Sequence, residues 1–143
     1  MSQAVFTLGL GCDRGTSVAT LDQAVAQALA KLDLERPAVI GMASIDLKAD
    51  EPCMHALAQR LGCPIRFYSA KQLAVVPVPN PSAVVERHTG TPSVSEAAAL
   101  LAAGSRGQPA PVSALRVEKH KHLGEDGKNA TVSVAWVPPV AGE

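Results

Sequence analysis

The strongest constraint on the fold is an alternation, made twice before Gly62, between a short apolar run and a segment of helical periodicity. "AVFTLGL" (4–10) is rich in β-formers and stopped by glycine; Val18, Leu21, Val25, Ala28, Leu29 and Leu32 then recur at helical spacing. "PAVIGMAS" (37–44) reads as a second buried strand, followed by "IDLKADEP" and a helix in which Met54, Leu57, Ala58 and Leu61 share a face before Gly62 ends it. "CPIRFYS" (63–69) makes a third strand. The proline-rich "VVPVPNPS" (75–82) must be extended or turning, because proline removes a donor and biases its predecessor away from helix.

"TPSVSEAAALLAAG" (91–104) carries a helix signature, with Ser93 as N-cap, Glu96 as its capping-box partner and Gly104 as stop. "VSALRVEKHKHL" (112–123) and "ATVSVAWV" (130–137) flank the turn "GEDGKN" and predict a terminal hairpin. Early strand–helix alternation with a late hairpin predicts an α/β fold: a three-layer α/β/α domain over residues 1–143, with a mostly parallel mixed sheet and a C-terminal antiparallel hairpin. Residues 138–143, "PPVAGE", read as a loose tail.

Charge narrows the partners. Thirteen basic residues balance thirteen acidic ones, so no global field recruits nucleic acid or an anionic membrane. Any charged ligand must be held locally. No signal peptide or membrane span is evident at the start or elsewhere, and the chain reads as cytoplasmic. Cys12, Cys53 and Cys63 are odd in number and lack CxxC or zinc-finger spacing, so neither a disulfide framework nor a metal site is expected.

In an open α/β sheet ligands settle at the carboxyl ends of the strands, where "GLGCDRGTS" (9–17) and "SIDLKADE" (44–51) fall. The first precedes a helix, with Thr16 or Ser17 as its cap, so exposed amides favour an anion there. Gly9, Gly11 and Gly15 are spaced one residue too widely for a dinucleotide fingerprint, and no Gly-Lys-Ser/Thr is present for a phosphate loop. Cys12 beside Arg14 has the setting of a lowered thiol pKa but no orienting base near in sequence, and a packed thiol is the plainer reading. Arg14 suits a carboxylate-bearing ligand.

Competing roles exist elsewhere. Lys48 and Asp46 can pair on a solvated loop, Glu51 can favour a helix start, and Glu96 is accounted for by capping. Leu115 and Val117 share a strand face with Lys119 by alternation, so a core face ends in a cation. His120 and His122 share the opposite face, which reads as a solvated edge more readily than a metal pair. Phe67, Tyr68 and Trp136 are too few for a base-stacking platform.

Four ordered stretches, "GLGCDRGTS", "SIDLKADE", "NPSAVVERHTGTPSVSEAAAL" and "EKHKHLGEDGKNATVSVAW", resemble the CobE family, which is similar to the C-terminal domain of CbiG, both of cobalamin biosynthesis. The pattern falls on Gly9, Gly11, Cys12, Arg14 and Gly15; on Ser44, Asp46, Lys48 and Glu51; on Pro81, Ser82 and Gly90; on Ser93, Glu96 and Ala97; and on Lys119, Asn129 and Thr131. Asp13 stands where the pattern carries a basic residue. The resemblance implies a stand-alone protein that holds an anionic precorrin or corrin intermediate as a binder or carrier for other cobalamin-pathway enzymes, without cofactor or metal. The alternative it implies is a hydrolase opening the precorrin-5 ring lactone with release of acetaldehyde, as in CbiG-type proteins. Such macrocycles are rimmed with carboxylates and call for separated cations around an apolar crevice. The ligand-binding candidates are Gly11, Cys12, Arg14, Gly15, Thr16, Ser44, Asp46, Lys48, Glu51, Ser82 and Lys119. The catalytic candidates are Cys12, Asp46, Glu51 and Glu96.

Overall fold

The computed structural model describes residues 4–139. Its elements run β1 (Phe6–Cys12), α1 (Val18–Ala30), β2 (Val39–Ile45), α2 (Pro52–Leu61), β3 (Ile65–Tyr68), α3 (Ala70–Ala74), α4 (Ala83–Thr89), α5 (Val94–Ala103), β4 (Leu115–Leu123) and β5 (Asn129–Trp136). The sheet order is β3-β2-β1-β5-β4. β1 pairs parallel with β2, and β2 with β3, while β5 is antiparallel to both β1 and β4. Four strands therefore run one way and β5 opposes them, which is the mixed α/β sheet the sequence predicts.

The two faces are packed differently. α1 and α2 cover one face through Leu21, Val25, Met54 and Leu57 against Leu8, Leu10, Val132 and Val134. The other face is covered by α5, whose Ala97, Ala98, Ala99 and Leu100 meet Ala43, Ile45 and Ala135, with Leu73 of α3 alongside. Small side chains let α5 lie almost on the backbone of β1. A Cβ placed on Gly9 would stand 1.8 Å from the Ser95 carbonyl oxygen and 2.6 Å from the Ala99 nitrogen. The buried Thr7 hydroxyl, on the same face, donates to the Ala99 carbonyl at 2.9 Å. Gly9 thus belongs to a helix–sheet contact rather than to a ligand-cradling loop.

Several local expectations are corrected. α3 and α4 flank the proline-rich stretch and have no counterpart in the sequence reading; each spans two turns or fewer, too short for periodicity to declare. Ser93 does occupy the N-cap of α5, but its side chain makes no cap bond; the hydroxyl donates instead to Glu96 Oε1 at 2.8 Å, so the capping box is not formed. Val117 does not share the face of Lys119. The β4–β5 register shifts between Leu115 and Val117 and again between Val117 and His120. These bulges turn Val117 toward the α1 core while Lys119 faces the other side. Pro138 and Pro139 carry no regular structure. The rest of the expected tail, 140–143, lies outside the described residues.

Candidate functional site

Because β1 and β2 are parallel neighbours, the loops after them emerge at the same edge of the sheet. There they are fastened together. Glu51, at the N-cap position of α2 and 3 % exposed, accepts the Gly15 amide at 3.1 Å and the Arg14 guanidinium at 3.3 Å on one carboxylate oxygen. Its side chain makes no cap bond to α2, so its role is to hold the opening loop, not to start a helix. Gly15 supplies that amide from a positive φ of 78°, a conformation that side-chain-bearing residues rarely adopt.

Arg14 is engaged within the protein. It donates to Asp50 at 2.7 Å, to Glu51 and to the Leu47 carbonyl. The hydrogen bond to Asp50 and the neighbouring carboxylates raise the Arg14 pKa, and the same bond lowers that of Asp50. The guanidinium therefore arrives at the cleft already neutralised.

The α1 N-terminus is likewise satisfied from within. Ser17 is the N-cap and its hydroxyl accepts the Thr20 amide at 3.1 Å. Asp126, from the turn between β4 and β5, accepts the Ser17 amide at 2.9 Å and the Thr20 hydroxyl at 2.9 Å. The Ser17 amide, then the Lys128 amide and the Thr20 hydroxyl, hold the Asp126 carboxyl down at about 2. The anion that the sequence predicts for this helix end is a side chain of the same chain. Asp13 is also committed, accepting the backbone and side-chain nitrogens of Asn129 at 2.8 and 3.1 Å.

Beyond these fastenings lies a cleft of about 600 Å³, within the range of small-ligand sites. Gly11 and Thr131 contribute from the sheet, Ile45 from the end of β2, Val84, Val85 and His88 from α4, and Val94 from the start of α5. Lys48, Lys119 and Lys121 also line it. Among the described residues, none of these lysines makes an ion pair within 4.0 Å; the pairs present there use Arg14, Arg36 and Arg60. Lys119 is aimed by a bond from its Nζ to the Asn80 carbonyl at 3.2 Å.

Glu96 sets that aim from below. It is fully buried and accepts the Asn80 amide at 3.2 Å, the Asn80 side-chain nitrogen at 2.6 Å and the Ser93 hydroxyl. It stands under the proline-rich segment and does not line the cleft.

The remaining predicted residues divide. Cys12 and Ser82 line the cleft, Ser82 also capping α4 by accepting the Val85 amide at 3.2 Å. Ser44 is buried, donating to the Leu10 carbonyl at 2.7 Å, and Thr16 is buried, donating to the Asp13 carbonyl at 2.7 Å. Asp46 opens a 3-10 turn through Lys48 and is exposed, and it forms no ion pair with Lys48. His120 and His122 turn to the other face of the sheet, where they meet Gln27 and Gln23 of α1. Among the described residues no group of three or more His, Cys, Asp or Glu is placed to hold a metal.

With this geometry in place, comparison decides the family. Residues 6–135 match the family described as cobalamin synthesis G C-terminus. The chain belongs to this family. It is 37% identical over 103 residues to "Protein CobE" from Sinorhizobium sp, a match covering 71% of this chain and 67% of that protein. It is also 33% identical over 134 residues to "Cobalt-precorrin-5A hydrolase" from Priestia megaterium; that match covers 94% of this chain but spans only 33% of the hydrolase. Among solved structures, the crystal structure of CobE, a protein from the cobalamin biosynthetic pathway, superposes with a TM-score of 0.79 at 32% identity, covering 94% of this chain and 92% of that one. No helix among the described residues is long and apolar enough to cross a membrane.

Lys121, Val84, Val85, His88 and Asp126 were not singled out from the sequence. Val84, Val85 and His88 sit on α4, a seven-residue helix too short for apolar periodicity to declare. Asp126 acts on residues more than a hundred positions earlier, a contact that only the β5 pairing creates.

Proposed function

We propose that this member of the cobalamin synthesis family binds a polycarboxylate corrin-ring intermediate in the cleft at the carboxyl ends of β1 and β2, as a binder or carrier serving other enzymes of the pathway. The observation that carries the reading is the pairing of an apolar wall, Ile45, Val84, Val85 and Val94, with three lysines that have no carboxylate partner among the described residues. An apolar macrocycle edged by carboxylates meets both demands: its ring covers the valines and isoleucine, and its acid groups reach the ammonium groups.

Holding is favoured over hydrolysis by how the nearby carboxylates are used. A hydrolase needs a positioned base. Asp13 is spent on Asn129, Glu51 on Gly15 and Arg14, and Glu96 is buried on Asn80 and Ser93, which leaves the exposed Asp46 and the cleft-lining His88 as the groups a hydrolysis would have to use. The test is to mix the protein with purified corrin-pathway intermediates and follow co-elution on gel filtration together with the mass of the recovered tetrapyrrole. Retention at unchanged mass is the expected result; turnover to a new mass would replace the carrier reading with the hydrolase one.

A further inference from the structure

A thiol that the ligand chemistry does not use lines the cleft, and a second lies buried behind it. Cys12, at the last residue of β1, lines the cleft and is half-buried; Cys53, in the first turn of α2, is 3 % exposed. Their sulfurs lie 3.9 Å apart, although the residues are forty-one positions apart in sequence. The third cysteine, Cys63, is not in this pair. We propose that Cys12 and Cys53 form a thiol modification site, in which Cys12 takes a small-molecule disulfide entering the cleft and Cys53 resolves the adduct into an intramolecular Cys12–Cys53 disulfide.

Accessibility and geometry assign the two roles. A reagent in the cleft reaches Cys12, whereas Cys53 is covered and reacts only through its neighbour. Closing from 3.9 Å to a bond of about 2.05 Å asks for a relative movement of the sulfurs of about 1.9 Å. The electrostatics agree. The Cys53 thiol, followed by the Lys48 charge and Thr16, lowers the Cys12 pKa against the effect of burial and the Glu51 carboxylate. The same bond to Cys12 is the main cause that raises the Cys53 pKa, with burial next. Cys63 is raised by burial alone.

The steps balance. The Cys12 thiolate attacks one sulfur of the small disulfide, the disulfide bond breaks, and one thiolate leaves to take up the proton that Cys12 released. Cys53 then loses its proton and attacks the Cys12 sulfur, expelling the second small thiolate, which takes up that proton. The protein loses two electrons and two protons, and the small disulfide becomes two thiols.

The experiment treats the reduced chain with glutathione disulfide and follows intact mass and peptide mapping. Wild type should lose two hydrogens with the Cys12 and Cys53 peptides joined, and reductant should reverse it. Cys53→Ala should stop at a glutathione adduct on Cys12, and Cys12→Ser should leave Cys53 unmodified, each variant first shown to be folded by circular dichroism. Alkylation of Cys12 in untreated wild type should outpace that of Cys63 by on the order of tenfold. The proposal is overturned if wild type accumulates only a stable Cys12 adduct, if Cys12→Ser is modified at Cys53, or if Cys63 reacts as fast as Cys12.

Discussion

β1 carries two glycines on the same face, and they meet opposite surroundings. Gly9 lies under α5 with backbone atoms where its Cβ would be, whereas a Cβ on Gly11 would meet only the Thr131 Cβ, at 3.9 Å. Within two residues the strand passes from a face sealed by a helix to a face left open as the cleft. Around Gly9 polar groups are paired inside the protein, as where the buried Ser133 and Ser95 hydroxyls share a hydrogen bond at 2.9 Å. Around Gly11, Lys119 and Lys121 keep their charges free of ion pairs among the described residues. One half of the strand is sealed by a helix and the other borders the cleft of the proposed ligand site.

The largest effect expected from that contrast is at Gly9. Gly9→Ala should destabilise by about 3 kcal/mol, because the obstacle is the backbone of α5 and cannot rotate away; chemical denaturation would show it. Gly11→Ala serves as its counterpart and should stay within about 0.5 kcal/mol of wild type. Equal losses at the two glycines would dissolve the distinction between the sealed and open halves.

Next come the carboxylates that hold the walls. Glu96→Ala should cost about 2 kcal/mol, since the Asn80 and Ser93 donors lose a charged acceptor. It should also weaken ligand binding by freeing Lys119, which Asn80 aims. Glu51→Ala should cost between about 1 and 2 kcal/mol by stranding the Gly15 amide. A Glu96→Ala variant with normal stability in thermal unfolding would show that the proline-rich wall is not anchored there.

A smaller effect is set by pH. Asp126 has a folded pKa of about 2, below its ordinary 3.8, so its contribution is present in full above the ordinary value and is lost as pH falls through 2. Asp126→Asn should therefore flatten the acid limb of the stability profile between those values while leaving the cleft lysines untouched. An unchanged acid limb would mean the turn does not hold α1 in this way.

How far the sequence foretold this arrangement depends on the range of each contact. α1, α2 and the three parallel strands were readable because apolar periodicity is local. So was the meeting of the loops at Arg14 and Glu51, which follows once β1 and β2 are parallel neighbours. The face of Val117 was misread because two bulges break the alternation that the reading assumed, and nothing in "LRVEKHKHL" marks them. Arg14 looked like a ligand-binding cation because Asp50 and Glu51, which neutralise it, are thirty-six and thirty-seven positions away. Glu96 fitted a local capping rule well enough to conceal its long-range partner Asn80.

On the proposed reading, the cleft lysines rather than Arg14, which is paired with Asp50 and Glu51, are the cations left to meet a carboxylate-edged ring. The most direct measurement is a low-salt absorbance titration of a fully carboxylated corrin-ring compound into wild type, Arg14→Ala and the triple variant Lys48→Gln, Lys119→Gln, Lys121→Gln. The triple variant should bind on the order of 10- to 100-fold more weakly, from contributions of about 0.5 to 1 kcal/mol per exposed charge. Arg14→Ala should fall much less, and wild-type affinity should decline as salt is raised. Equal affinity of wild type and the triple variant at low salt would contradict the assignment of the cleft as a carboxylate-binding site.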